Sequence, residues 1–224
     1  GLSEARVGEM LRSLTTSANP TLASYAKLDG IHLRITAKAE SEDTAQDLIR
    51  TMENQVKTIL GEHIWGVDSD TLEGAVGELL LKKGLTLAAM ESCTGGLLAA
   101  TLTNVPGSSA YFRGSIVSYS DESKISSGVD PTRIRRYAAI SLEVAQAMAS
   151  AARKNMSADV GVGITGVAGP SESQDKAVGT IFIGIDDGQS LNVIAPTYPG
   201  NRQRIRQAAT TLALVELRKT LLNR

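Results

Sequence analysis

Apolar residues first recur at helical spacing over residues 3–15, where Val7, Met10, Leu11 and Leu14 share a face and Glu4 falls in the first turn. After the breaker "SANP" the period shortens to two. Residues 21–27 and 31–39 read as the arms of a hairpin, with Ile31, Leu33, Ile35 and Ala37 on one face and "LDG" as the turn. Ser41 then caps a helix running from Glu42 to about Leu60, whose apolar face is Leu48, Ile49, Met52, Val56 and Ile59. A short strand near "HIWG" is predicted to close an α-β-β-α-β unit. The polar segment "GVDSD" that follows marks a boundary, so the pattern predicts a small α+β domain over 1–66 and a second domain over 67–224.

In the second domain strands and helices alternate. The pattern predicts a helix over 72–83 stopped by Gly84, a strand over 85–90, a helix from Gly96 to Thr103, a loop over 104–114 and a strand over 115–120. A helical patch starts at Pro131, and Ser141 caps a helix through Met156. Extended runs over 159–165, 179–186 and 191–199 precede a long helix over 201–222. This order argues for a sheet covered on both faces, a three-layer α/β/α sandwich around a mostly parallel, mixed sheet.

Charge narrows the functional classes. With 23 Lys+Arg against 24 Asp+Glu the net charge is -1, which gives no global attraction for nucleic acid or an anionic membrane. Cys93 is the single cysteine, so no intramolecular disulfide forms, as expected of a chain in the cytoplasm. His32 and His63 are too few and too separated to build a zinc site with Cys93, so neither metal nor cofactor is expected. No apolar run reaches the roughly 18 residues that span a bilayer. The start "GLSEARVGEML" is interrupted by Glu4 and Glu9, unlike a signal peptide, and opens on Gly1, as a cut or processed chain does.

The candidate chemistry centres on "MESCTGG", residues 90–96, which sets Ser92, Cys93 and Thr94 side by side between a strand and a helix. A serine hydroxyl needs a base, and residues 67–224 contain no histidine, which excludes a Ser-His-Asp triad within this domain. Lysine, tyrosine or a carboxylate remain. Lys124 follows the strand "SIVSYS" and Tyr119 ends it, at the carboxyl edge where open α/β sheets bind ligands. Gly95 and Gly96 permit close approach to the first N–H groups of a helix, donors suited to an oxyanion or a phosphate. A second loop, "GITGVAGP" at 163–170, carries Thr165, Gly166, Ala168 and Gly169; Ser108 and Ser109 add hydroxyl donors, and Arg202 lies where a helix start could reach a phosphate. Plainer readings stand beside these: Ser92 as an N-cap, Cys93 as a packing residue, Lys124 as a surface charge, and glycine loops that match neither a Walker motif nor G-x-G-x-x-G.

Four strings in order, "ESCTGGLLAATLTNVPGSSAYFRGSIVSYSDESK", "GITGVAGP", "AVGTIFIGI" and "GNRQRIRQAA", resemble the C-terminal domain of the CinA family of nicotinamide-nucleotide amidohydrolases. The resemblance covers nearly all of residues 70–222. It implies hydrolysis of the carboxamide of nicotinamide mononucleotide to nicotinate mononucleotide and ammonia in pyridine nucleotide salvage. Ser92 matches the nucleophile, Lys124 the base and Tyr119 the assisting hydroxyl. The backbone around Thr94, Gly95 and Gly96 would hold the oxyanion, and Thr165, Gly166, Ala168, Gly169, Ser108, Ser109 and Arg202 the ribose and phosphate. Residues 1–66 resemble the KH-like middle domain of long forms. The pyrophosphatase-associated domain that precedes it in those forms is missing, so no such activity is expected of this chain. Nucleic-acid binding is not expected either, since "EGAVGE" is flanked by acids and lies outside the KH-like unit. A homodimer is expected by resemblance alone. Two positions depart from the family pattern: Ala177 replaces a proline in the run after "AGP", and Asp121 stands where asparagine is common, adding negative charge near Lys124. The competing reading is a non-catalytic nucleotide-binding or assembly module of a competence or DNA-damage pathway.

Overall fold

A computed structural model describes residues 2–27 and 29–224; Gly1 and Leu28, the latter part of the expected hairpin turn, lie outside the described residues. The chain divides into two compact units, Gly1–Ser69 and Asp70–Arg224.

In the first unit the Ser3 hydroxyl accepts the Arg6 N–H and starts α1 (Glu4–Met10). The predicted single helix breaks at Leu11 and continues as α2 (Arg12–Thr15). Strands β1 (Thr21–Ala26) and β2 (Ile31–Thr36) pair antiparallel, with Leu22 opposite Ile35. The Ser41 hydroxyl accepts from Thr44 N–H at the start of α3 (Glu42–Leu60). Successive turns of α3 bury Met52, Val56 and Leu60 against Val7, Leu11 and Leu22, which makes one apolar core. The strand expected near "HIWG" does not form. Gly61, at φ +50°, ends α3 and a 3-10 turn over Gly61–His63 follows. Ile64 is extended but joins no ladder among the described residues, and Trp65 instead meets the His32 ring edge-on at 6.2 Å. Aromatic contact replaces strand pairing there.

The second unit opens with α4 (Leu72–Lys83), capped by the Thr71 hydroxyl and stopped by Gly84 at φ +64°. Then come β3 (Leu87–Glu91), α5 (Leu97–Thr103), β4 (Phe112–Val117), α6 (Asp121–Ser126), α7 (Pro131–Tyr137) and α8 (Leu142–Asn155). Strands β5 (Val160–Gly166), β6 (Ile181–Asp186) and β7 (Leu191–Ile194) lead to α9 (Arg202–Asn223). The five-stranded sheet has the order β4-β3-β5-β6-β7; β4, β3 and β5 are parallel, while β6 and β7 run antiparallel to their neighbours. Ala88 and Met90 face α8 and pack with Val144, Met148, Ala151 and Ala152. Helices α4, α5 and α9 pack together on the other face. Helix α8 lies so close to β5 that a Cβ on Gly163 would collide with the Ala145 carbonyl, so glycine is what lets the helix seat there.

Sequence pattern and structure differ in two places that matter for the site. Strand β4 starts at Phe112 inside the expected loop, because Gly114, at φ +137°, absorbs a register shift opposite Leu87 and Ala88. Helix α6 was not expected. Its capping box joins Ser120 to Ser123, with serine where the usual signature has Glu or Gln, so "SDES" reads as a polar loop. Parallel pairing sets Glu91 opposite both Val117 and Ile164, which gathers the carboxyl ends of β3, β4 and β5 at one edge.

Candidate active site

Ser92 sits directly beyond β3. Its N–H donates to the Ile164 carbonyl at 2.9 Å, and its own carbonyl accepts the Gly95 N–H at 3.0 Å, so both sides of the residue are fixed by backbone. Gly96, at φ +90°, turns the chain into α5. Lys124 reaches the same point from α6. Its amine lies 3.2 Å from Ser92 Oγ, 2.9 Å from the Ser118 carbonyl and 3.3 Å from the Tyr119 carbonyl, and the residue is only 2% exposed.

Burial pushes the Lys124 pKa below its ordinary value, because charge is poorly solvated there; the nearby acid Asp121 pulls in the opposite direction. The contacts hold the amine in either protonation state. The amine donates to Ser92 Oγ and to the Ser118 and Tyr119 carbonyls; once deprotonated, it keeps two N–H bonds for the carbonyls and turns its lone pair to the Ser92 hydroxyl. Such a pair can accept a proton as the serine attacks an electrophile. The neighbouring thiol is set apart: burial raises Cys93 to about 11, so it is protonated at neutral pH and a poor nucleophile.

A cavity of about 290 Å³ opens over the pair. Ser92, Tyr119 and Lys124 line one side, and Thr165, Gly166, Ala168 and Gly169 another. Gly169, at φ +83°, has Val178 so close that a Cβ would lie 2.8 Å from it. Arg202, in the first turn of α9, crosses between these walls: it donates to the Gly169 carbonyl at 2.7 Å and to the Tyr119 hydroxyl at 2.8 Å. A larger groove of about 380 Å³ between β6, β7 and the end of α9 contains none of the candidate residues, so volume alone does not locate the chemistry.

Several expected residues lie elsewhere. The N–H groups at the helix start already have acceptors: that of Gly95 donates to the Ser92 carbonyl, and those of Gly96, Leu98 and Ala99 donate to the Glu91 carboxylate. Thr94 is fully buried, its carbonyl accepts from Arg206, and it does not line the cavity. Ser108 and Ser109 precede β4 whereas Ser118 and Tyr119 follow it, and six strand residues at about 3.3 Å each put roughly 17 Å between the two ends. They are at the wrong edge of the sheet. The Tyr119 hydroxyl is bonded to Arg202 rather than to Ser92 or Lys124; its carbonyl is what meets the lysine.

Pattern reading also missed residues that shape the site. Ala139 and Ile140 form a wall, fixed where the Thr165 hydroxyl donates to the Ala139 carbonyl and the Ile140 N–H donates to Gln174. Nothing in the local sequence signals that wall. Arg206, one turn beyond Arg202 on α9, holds the Thr94 carbonyl at 2.7 Å. Glu91 did leave a signal, a lone acid ending an apolar strand just before two glycines.

Comparison with known proteins agrees with the architecture. Residues 69–221 match the family profile of the CinA C-terminal domain, and residues 1–66 match that of the KH domain of damage-inducible protein CinA. A competence-damage inducible protein of Moorella thermoacetica is 44% identical over 223 residues, covering 99% of this chain and 54% of its own length. One from Alkaliphilus oremlandii is 41% identical over 227 residues, covering all of this chain and 55% of its own. The chain thus spans about half the length of the curated relatives it matches. Among solved structures, a CinA superfamily protein from Klebsiella pneumoniae aligns with a TM-score of 0.67 at 26% identity, over 68% of this chain and 97% of its own. Its Escherichia coli counterpart aligns with a TM-score of 0.64 at 27% identity, over 73% and 98%. With both units matched in order and relatives above 40% identity along the whole length, the chain belongs to the CinA family of competence- and damage-inducible proteins.

Proposed function

We propose that the unit 70–224 is a serine amidohydrolase that converts the carboxamide of nicotinamide mononucleotide to nicotinate mononucleotide and ammonia. The observation that carries this reading is the buried Lys124 amine 3.2 Å from Ser92 Oγ, held by two carbonyls and lowered in pKa by burial. The substrate comes from the family resemblance.

In the first half-reaction Ser92 Oγ attacks the amide carbon and its proton passes to neutral Lys124. The resulting ammonium of Lys124 gives that proton to the departing nitrogen, which leaves as ammonia, and the acyl group stays on Ser92. Water then attacks the acyl-serine, Lys124 again takes the proton, and Ser92 recovers it as the acid is released. A positioned base of this kind contributes about 10² to 10⁴ in rate. Tyr119 serves through its carbonyl, which orients the amine, while its hydroxyl and Arg202 form the edge that takes the nucleotide. Arg202 uses only part of its donor set on Gly169 and Tyr119, so further N–H groups remain for a phosphate. Residues 165–169 cover the ribose in this reading, and the enzyme works as a cytoplasmic homodimer.

Ammonia release from nicotinamide mononucleotide, measured for the native chain and for Ser92→Ala, tests the proposal. The native chain releases ammonia and the variant falls by at least about 10⁴-fold, as loss of a serine nucleophile does. Equal rates would remove Ser92 from the mechanism. Binding of the nucleotide without release by either protein would favour the non-catalytic module.

A further inference from the structure

Glu91 is completely buried at the end of β3, and no ion pair reaches it among the described residues. A carboxylate taken out of water needs several donors. Here four are supplied: Oε2 accepts from Gly96 N–H at 3.1 Å and Leu98 N–H at 3.0 Å, and Oε1 accepts from Ala99 N–H and the Ser115 hydroxyl, both at 3.0 Å. Three of these donors belong to the first turn of α5, which would otherwise be left unsatisfied. The fourth belongs to β4.

The placement of these contacts goes beyond capping. The side chain of Glu91 spans the turn 92–95 and fastens its far end, so Ser92 lies inside a loop closed by the carboxylate. Through Ser115 the same carboxylate ties this loop to β4, and the residues just after β4, Ser118 and Tyr119, supply the carbonyls that orient Lys124. Backbone bonding continues the tie, with Ser118 N–H donating to the Glu91 carbonyl at 2.8 Å. One residue therefore joins the strand that delivers the nucleophile to the strand whose end supplies the carbonyls orienting the base.

We propose that Glu91 is a positioning residue that sets the separation of Ser92 and Lys124, with the carboxylate acting as a clamp across the nucleophile turn. The proposal rests on the amidohydrolase reading for its choice of Ser92, but not on the identity of the substrate. Glutamine cannot replace the clamp. Either orientation of its amide turns an NH2 toward at least one backbone N–H, since each carboxylate oxygen now accepts from one.

The test compares native, Glu91→Gln and Ser115→Ala chains by three measurements. These are ammonia release from nicotinamide mononucleotide, the rate at which a serine-directed sulfonyl fluoride labels Ser92, and the Kd for nicotinate mononucleotide. For Glu91→Gln, kcat and labelling rate are expected to fall together by about 30- to 100-fold, the scale of a misplacement near 1 Å. KM, the product Kd and the pH midpoint of kcat/KM stay within twofold or a few tenths of a unit of native. A variant that was merely less folded would lose binding sites and thermal stability without changing the labelling rate of its folded fraction. Native-like labelling and turnover in Glu91→Gln overturn the proposal. If Glu91→Gln does not fold, Ser115→Ala decides, because it removes one of the four donors and leaves the helix clamp. Labelling slowed about threefold or more, with product binding kept, supports the role, and unchanged labelling overturns it. If the native chain is labelled yet releases no ammonia, the amidohydrolase reading fails while the labelling arms still test Glu91.

Discussion

Two neighbouring turns of the same sheet each bury one ionisable side chain, and they treat it in opposite ways. After β3, Glu91 is met by four donors that satisfy both oxygens. After β4, Lys124 is met by two neutral carbonyls and a hydroxyl, with no carboxylate in hydrogen-bond contact. A buried ammonium with only neutral acceptors loses more hydration than it recovers, which is why its pKa falls. The first arrangement fixes geometry. The second leaves a group ready to change protonation state, and the two meet at Ser92.

The sharpest way to break this contrast is to remove the reactive charge. Lys124→Met keeps the length and apolar stem of the side chain but has no base, and kcat for ammonia release should fall by about 10³ to 10⁴ while bound nucleotide is still detected. A loss below tenfold would make the amine a packing group. Arg202→Ala leaves both turns intact and removes a guanidinium from the cavity edge. KM should rise by about 10- to 100-fold with kcat changed less than fivefold, the split expected when a contact binds ground and transition states alike.

Asp121→Asn tests the balance at the lysine. Asp121 raises the Lys124 pKa against the larger lowering by burial. Without it the folded-state pKa drops further, so the neutral, active form appears at lower pH. The rising limb of kcat/KM against pH should move to lower pH, and activity on the acid side should increase several-fold; a move to higher pH would reverse the assigned sign. Cys93→Ala gives the smallest effect. The thiol is protonated at neutral pH and the residue is 6% exposed, so turnover should stay within about twofold and iodoacetamide should react slowly with the native chain.

Much of the fold was legible because strong signals agreed. Ser41, Gly84 and Ser141 mark helix ends, and the runs that became β3, β5 and β6 are apolar up to a polar residue near their ends, as strands buried on both faces are. What escaped depended on pairing rather than local pattern. The start of β4, an edge strand with polar and glycine residues, escaped because only its parallel contact with β3 defines it. The run "HIWG", residues 63–66, reads as a strand but belongs to no sheet among the described residues. Within the site, the absence of histidine left lysine, tyrosine or a carboxylate as the base, and the structure sets Lys124 beside Ser92. At Gly96 a helix start attracts any anion, and the pattern did not show that the protein supplies its own in Glu91. Ser108 and Ser109 were misplaced because composition does not say which end of a strand a loop occupies.

The central claim is that Lys124 acts as a neutral base toward Ser92, and the pH dependence of kcat/KM for ammonia release from nicotinamide mononucleotide measures it most directly. The account predicts a rate that rises with pH through one ionisation whose midpoint lies below the ordinary lysine value of 10.5, and that Lys124→Met abolishes. A midpoint at the ordinary lysine value, or a rising limb that survives Lys124→Met, would contradict it.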